Sequence, residues 1–538
     1  MSDAASLNAA ERAFGRGAHP RANRGARAPA ALIGAAAFAA ALVLLPILAT
    51  IVQASGLSAP RAAHLLMRPL VGVLIMNTVG LVVAASATCA IIGTATAWLI
   101  ERTDVPGRKV WAALAVAPLA IPPFISSYAW VSLSNGLQDF AGALLVVTCA
   151  YYPLVYLPVA AALRGLDPRL EESARSLGLG PWARFFRVVA MQLRPALYGG
   201  ILLVALDVLI EFGAFALLRF RTFTTELYAQ YRTGLDGPES ALLAVVLIAL
   251  CLVCVVGELN LRGRARYAPV GSGARPVAAP VRLGWLRWPA LLGFAGLTIA
   301  TLGVPLGMIG YWLTQHAEAA TSPVAPSWLA LFGATFASLS YGLAGAAAAL
   351  LLAAPLGYLA TRYPSRLSTA LERTAYLAQG VPAIVVALAF ISLTVQTIRP
   401  LYQSAALLVI AYAILFLPFA LVGVRSALAQ VQVGLEEAGR SLGLGWFAVT
   451  LRVLAPLAGP GLGAGAAMVF VFVATELTAT LLLAPIGTRT LATEVWANTT
   501  SLAFAAAAPF AAMMLAISLL STWLLARRFG AAAFPVRV

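Results

Sequence analysis

Charge is what this chain has least of. Only 10% of its 538 residues are Asp, Glu, Lys or Arg, whereas ordinary globular domains carry roughly 25%. Lysine occurs once, at Lys109, and histidine three times, at His19, His64 and His316. Those histidines are too scattered to make a site. The four cysteines, Cys89, Cys149, Cys251 and Cys254, all fall inside apolar runs. Cys251 and Cys254 read as C-x-x-C, but no second Cys or His cluster completes a metal site. They read as small packing residues. There is no G-x-x-x-x-G-K-[ST], no H-E-x-x-H and no nucleophile elbow. The chain therefore carries no phosphate-cradling loop and no hydrolytic centre, and no cofactor or fixed metal is expected on it. The net charge of +16 is not a nucleic-acid footprint, because the arginines lie in short loops between apolar runs.

Those runs dominate the rest. The chain is 61% hydrophobic, with stretches such as 31–54, 239–256 and 288–313 long enough to cross a hydrocarbon core of about 30 Å as helix. The alternating ten-residue segments of a β-barrel are absent. The expected fold is an all-α polytopic membrane protein. Twelve spans are predicted, near 31–54, 73–100, 111–133, 141–163, 192–218, 239–258, 288–313, 333–360, 374–395, 405–424, 462–486 and 504–526. The polar, Arg-rich first residues lead into a full-length span with no A-x-A pattern after it, so no cleaved leader is expected. With the N-terminus placed inside, 29 of the 36 basic residues fall on the cytoplasmic side and 7 outside. The positive-inside rule then puts both termini in the cytoplasm.

The sequence is also written twice. "EESARSLGLG" at 171–180 and "EEAGRSLGLG" at 436–445 agree at eight of ten positions. "YPLVYLP" at 152–158 matches "YAILFLP" at 412–418, Pro122 aligns with Pro382, and Glu211 aligns with Glu476. Each half holds six predicted spans, an even number, so both enter the membrane from the same side. The expectation is two parallel six-helix repeats about a pseudo-two-fold axis along the membrane normal. The divisions are a basic cytoplasmic tail (1–30), a first half (31–258), a flexible cytoplasmic linker (259–287), a second half (288–526) and a short tail (527–538).

Both decapeptides fall on the cytoplasmic side. In the first, Asp167 and Pro168 predict a helix start, Glu171 and Glu172 favour its first turn, and Gly178 suits the left-handed residue that ends it. Leu170, Ala174 and Leu177 predict a narrow apolar stripe. The second copy repeats this with Leu435, Gly439 and Leu442, and with Gly443 as its stop. Its cap is expected to be weaker, with Gly434 in place of the Asp-Pro pair. Two matched cytoplasmic helices predict a two-fold symmetric partner.

"EESARSLGLGPWARFFRVVAMQLRP" and "EEAGRSLGLGWFAVTLRVLAPLAGP" resemble the EAA loop of ABC-importer permeases, at 164–191 and 425–456. The first copy departs from the family pattern, with Met191 where the second has Pro456. The resemblance implies that each loop docks on a separate ATPase subunit that holds ATP and Mg, and that a periplasmic solute-binding protein delivers the cargo. It implies coupling roles for Glu171, Glu172, Arg175, Gly178, Glu436, Glu437, Arg440 and Gly443. "EFGAFALLRFRTFTTELY" and "ELTATLLLAPIGTRTLATEVW" are most similar to ferric-iron permeases. Thiamine permeases are close, and polyamine or other small-solute permeases stand behind. A secondary transporter of two times six spans is the rival reading at this point.

Ionisable groups inside a bilayer are functional candidates by default. Asp207, Glu211 and Glu476 are the candidate pathway residues. Glu211 and Glu476 either offer carboxylates to a hard cation or cap a broken helix. Pro122, Pro123 and Pro382 are candidate gating prolines that kink their spans.

Overall fold

The computed structural model describes residues 28–233, 237–264, 280–315 and 327–533. The first tail and the centre of the linker lie outside the described residues. Among those described, the chain is helical and holds no strand. Among the described residues, nine helices are long and apolar enough to cross a membrane. Three further pairs qualify as spans that bend midway, bringing the count to the expected twelve. The faces are called inner and outer below as the basic residues assign them.

The departures from straight spans sit where the backbone has a local reason to stop. Spans three and nine turn by 93° and 102°, between Arg108–Ala120 and Pro123–Leu133 and between Arg366–Gly380 and Ala383–Thr397. Pro122 and Pro382 occupy the two corners with nearly the same backbone, φ −57°, ψ 140° and φ −58°, ψ 140°. A residue before proline avoids the α region, and Ile121 and Val381 are accordingly extended. The prolines therefore do more than kink: each ends one helix and starts another. Span ten bends by 60° after Leu415, while its mate Phe140–Gly165 stays one helix.

The halves are interlocked. The first helix, Ala30–Ala54, packs on the second half's Trp328–Arg362, Arg366–Leu377 and Ala383–Thr397. Its counterpart Val304–Thr314 packs on the first half's Pro123–Leu133. One apolar cluster consequently runs through both halves, from Ala36 and Val43 to Phe390 and Val495. Close helix approach uses small residues, as membrane packing requires. A Cβ on Gly465 would lie 3.0 Å from Gly423 Cα, and one on its mate Gly200 would lie 2.8 Å from Val155 Cα. The span before the linker continues as helix to Arg264. The last part of the expected linker is tied down rather than free: Val281 N–H donates to Arg102 O at 2.8 Å and Leu283 N–H to Asp104 Oδ1 at 2.8 Å.

Candidate functional site

Two regions concentrate polar side chains: a pair of inner helices, and a pair of matching helix breaks, one in each half.

The inner helices are Pro168–Ser176 and Val433–Ser441. Asp167 caps the first, its Oδ1 accepting from Arg169 N–H at 3.0 Å. The second starts after Gln432, with no side-chain cap bond; the weaker cap thus comes from Gln432, not from Gly434. Both end alike. Gly178 and Gly443 have φ of +82° and +83°. Leu179 N–H reaches Ala174 O and Gly178 N–H reaches Arg175 O, and Leu444 and Gly443 repeat the pattern on Gly439 and Arg440. This double bond pattern is the Schellman ending.

The expected apolar stripe splits in two. Ala174 and Gly439 are buried, whereas Leu177 and Leu442 are 82% and 81% exposed and Leu170 and Leu435 about half so. Glu172, Glu437 and Arg175 are also exposed, as is Arg440, although its Nη2 reaches back to Tyr358 Oη at 3.4 Å. The outward face of each helix is therefore two leucines flanked by charge.

The first glutamate of each decapeptide turns inward instead. Glu436 Oε1 accepts from Arg362 Nε at 2.6 Å and its Oε2 from Tyr358 Oη at 2.9 Å, while Arg362 Nη2 also donates to Val431 O at 3.0 Å. Both side chains of that ion pair are buried. Glu171 Oε1 accepts from Arg102 Nη2 at 2.7 Å, but this carboxylate is partly exposed and Arg102 Nε finds no partner among the described residues. Trp98 stands where the second half has Tyr358, and it packs edge-on against Phe185. Arg102 and Arg362 are 260 residues apart, the spacing that relates Pro122 to Pro382. That repeat spacing was the signal that could have marked them in advance.

The second region lies where spans five and eleven were expected to run on to 218 and 486. Both stop short. Helix Ala190–Ile210 ends at Glu211, followed by the short Gly213–Leu217. Helix Ala455–Ala474 ends just before Glu476, followed by Thr478–Leu483. Each carboxylate caps the short helix beyond it. Glu211 Oε1 accepts from Ala214 N–H at 2.9 Å, and its Oε2 accepts from Tyr151 Oη at 2.9 Å. Glu476 Oε1 accepts from Thr478 and Ala479 N–H at 2.9 and 3.1 Å. Both main-chain carbonyls are also bonded, but from different places: Thr224 of the following outer helix donates to Glu211 O, and Thr480 of the short helix itself donates to Glu476 O, each at 2.6 Å. The geometry is the capping alternative of the two readings of these acids. Asp207 lies one turn before Glu211 and is half-buried.

The two breaks meet. A Cβ on Gly213 would lie 2.9 Å from Leu477 Cδ2 and 3.0 Å from Phe124 Cβ. On the outer side of this junction three aromatic rings close together. Phe212 lies 4.8 Å from Tyr228 and 5.4 Å from Trp496, and Tyr228 and Trp496 are 6.2 Å apart, centroid to centroid. Tyr228 and Trp496 come from matching outer helices, Phe223–Arg232 and Leu491–Thr500, each started by a Thr-x-x-Thr capping box. Phe212 and Trp496 are buried. The three rings, drawn from both halves, thus form one aromatic plug beside the junction.

The model of the inner-membrane components of binding-protein-dependent transport systems matches residues 90–260 and 351–528, once in each half. The chain belongs to that family. Among its relatives is the Fe(3+)-transport system permease protein FbpB 2 of Haemophilus influenzae, 35% identical over 482 residues, which are 89% of this chain and 95% of that protein. The molybdenum transport system permease protein ModB of Escherichia coli is 27% identical over 183 residues, 30% of this chain and 80% of its own length. The sulfate transport system permease protein CysT of Escherichia coli is 27% identical over 254 residues, 44% of this chain and 92% of its own length. Those two shorter family members each match about one repeat's worth of sequence. The family assignment makes this chain a multi-pass transport permease and removes the secondary-transporter rival.

Proposed function

We propose that this chain is the pathway-forming subunit of an ATP-driven importer of ferric iron. The observation that carries the reading is the pair of matched inner helices, each turning two leucines and a charged rim outward on the same face. A two-fold motor of two ATPase subunits would grip both. ATP and Mg belong to those subunits, and the chain itself is not the hydrolase. Cargo arrives from a periplasmic binding protein on the outer face, and both termini lie in the cytoplasm. Iron is favoured over other solutes by the full-length likeness to a ferric-iron permease.

On this reading the resting pathway is closed outside by Phe212, Tyr228 and Trp496. Glu211 and Glu476 hold the shape of the two breaks beneath that plug, and Asp207 adds a third acid to the pathway. Glu172, Arg175, Glu437 and Arg440 meet the ATPase subunits. Glu171, Glu436, Gly178 and Gly443 hold the helices that present them.

Co-purification and uptake test this together. A tagged chain should retain ATPase subunits at two per chain and support ATP-dependent uptake of labelled Fe(III). Gly178→Asp with Gly443→Asp should abolish both. Absence of any bound ATPase subunit, or undiminished uptake in that double variant, would refute the docking reading. ATP-dependent uptake of another solute in place of iron would refute only the cargo.

A further inference from the structure

The two longest helices among the described residues are tied at both ends. Pro69–Arg102 and Trp328–Arg362 are continuous over 34 and 35 residues, although neighbouring spans break. At the inner end each carries the arginine that holds an inner helix, Arg102 on Glu171 and Arg362 on Glu436. At the outer end each carries a buried hydroxyl that receives the first N–H of an outer helix. Phe223 N–H donates to Thr78 Oγ1 at 3.4 Å, and Leu491 N–H donates to Ser338 Oγ at 2.9 Å. Asn77 Nδ2 adds a bond to Arg221 O at 3.0 Å.

The two grips are the same distance apart in both halves. Thr78 to Arg102 is 24 positions, and so is Ser338 to Arg362, about 36 Å of helix. Thr78 and Ser338 are each 2% exposed. Hydrogen bonds are strengthened in such surroundings, and losing a partner there is costly. The outer helices started by these bonds carry Tyr228 and Trp496, two of the three rings of the plug. A contiguous physical path therefore joins each inner helix to the outer closure.

We propose that these two helices are transmission rods, with Arg102, Arg362, Thr78 and Ser338 as the positioning residues at their ends. Displacement of an inner helix moves its arginine, the rod follows as one body, and the outer helix withdraws its ring from the plug. The inference rests on the reading that ATPase subunits dock on the inner helices. The second rod has the firmer inner grip, because Glu436 is held by both Arg362 and Tyr358.

The test uses the full chain with its ATPase subunits in lipid nanodiscs. Spin labels at Thr233 and Thr500, both exposed at the ends of the outer helices, report the closure. In the otherwise unaltered chain, a non-hydrolysable ATP analogue should change the label distance. Ser338→Ala with Thr78→Ala should remove that change while ATPase subunits stay bound, and should slow uptake about tenfold. Ser338→Thr should preserve both. Arg362→Ala should also abolish the response, and Arg362→Glu combined with Glu436→Arg should restore it in part. A full ATP response in both Ser338→Ala/Thr78→Ala and Arg362→Ala would overturn the rods and leave docking standing. Failure of the unaltered chain to retain ATPase subunits would instead sink the docking reading beneath them.

Discussion

Glu476 shows how much one side chain decides locally. Its carboxylate accepts two consecutive N–H groups at the start of Thr478–Leu483, donors that no helical carbonyl can reach. Leaving such a buried donor without its acceptor costs roughly 1–3 kcal/mol. Glu476→Ala should lower the thermal unfolding midpoint and slow uptake, because the break loses its cap. Glu476→Gln keeps an oxygen in the same place and should retain most of both. Purified variants compared by thermal melting and by uptake decide the matter; a glutamine variant that melts normally but takes up cargo as slowly as the alanine one would show that the carboxylate does more than cap the break. Gly178 and Gly443 make the opposite point. An added Cβ would meet nothing within 4 Å, so only their positive φ explains the glycine.

At the scale of elements, the matched outer helices have a purpose beyond connection. Each presents one large ring, Tyr228 or Trp496, to Phe212. Trp496→Ala should leave a gap in the plug. The expected result is raised ATP hydrolysis without binding protein, measured in proteoliposomes, at least severalfold above the unaltered chain. An unchanged basal rate would argue that the seal lies elsewhere. Much of this layer was legible in the sequence. Span count, the inner helices and their glycine stops follow from apolar length and turn chemistry. Pro122 and Pro382 were legible as disturbances but not as right angles, because the bend depends on what the second segment packs against. The broken ends at Glu211 and Glu476 were legible only as misplaced charge, since hydropathy continues through them to Leu218 and Ile486. Arg102 and Arg362 were hidden among loop arginines that serve topology, and only their common spacing sets them apart.

The whole molecule is a repeat whose copies have drifted apart on the inner face. Glu436 sits in a buried site held by two partners, Arg362 and Tyr358, and Glu171 in a partly exposed pair with Arg102. The first long helix and the turn after it gain a strap from Val281 and Leu283, residues in the last part of the expected linker. The crossing of the leading helices has its own consequence for how the molecule is made. Ala30–Ala54 covers apolar surface of the second half, and Val304–Thr314 covers that of the first. Neither half can bury its own faces before the other is present. Two polypeptides, 1–264 and 280–538, should therefore assemble into a stable pair when produced together, and each should be degraded when produced alone. Recovery of either fragment as a stable monomer would contradict this. Covalent fusion then serves mainly to fix stoichiometry: one messenger yields one copy of each dissimilar half, and no like-with-like pairing competes during synthesis.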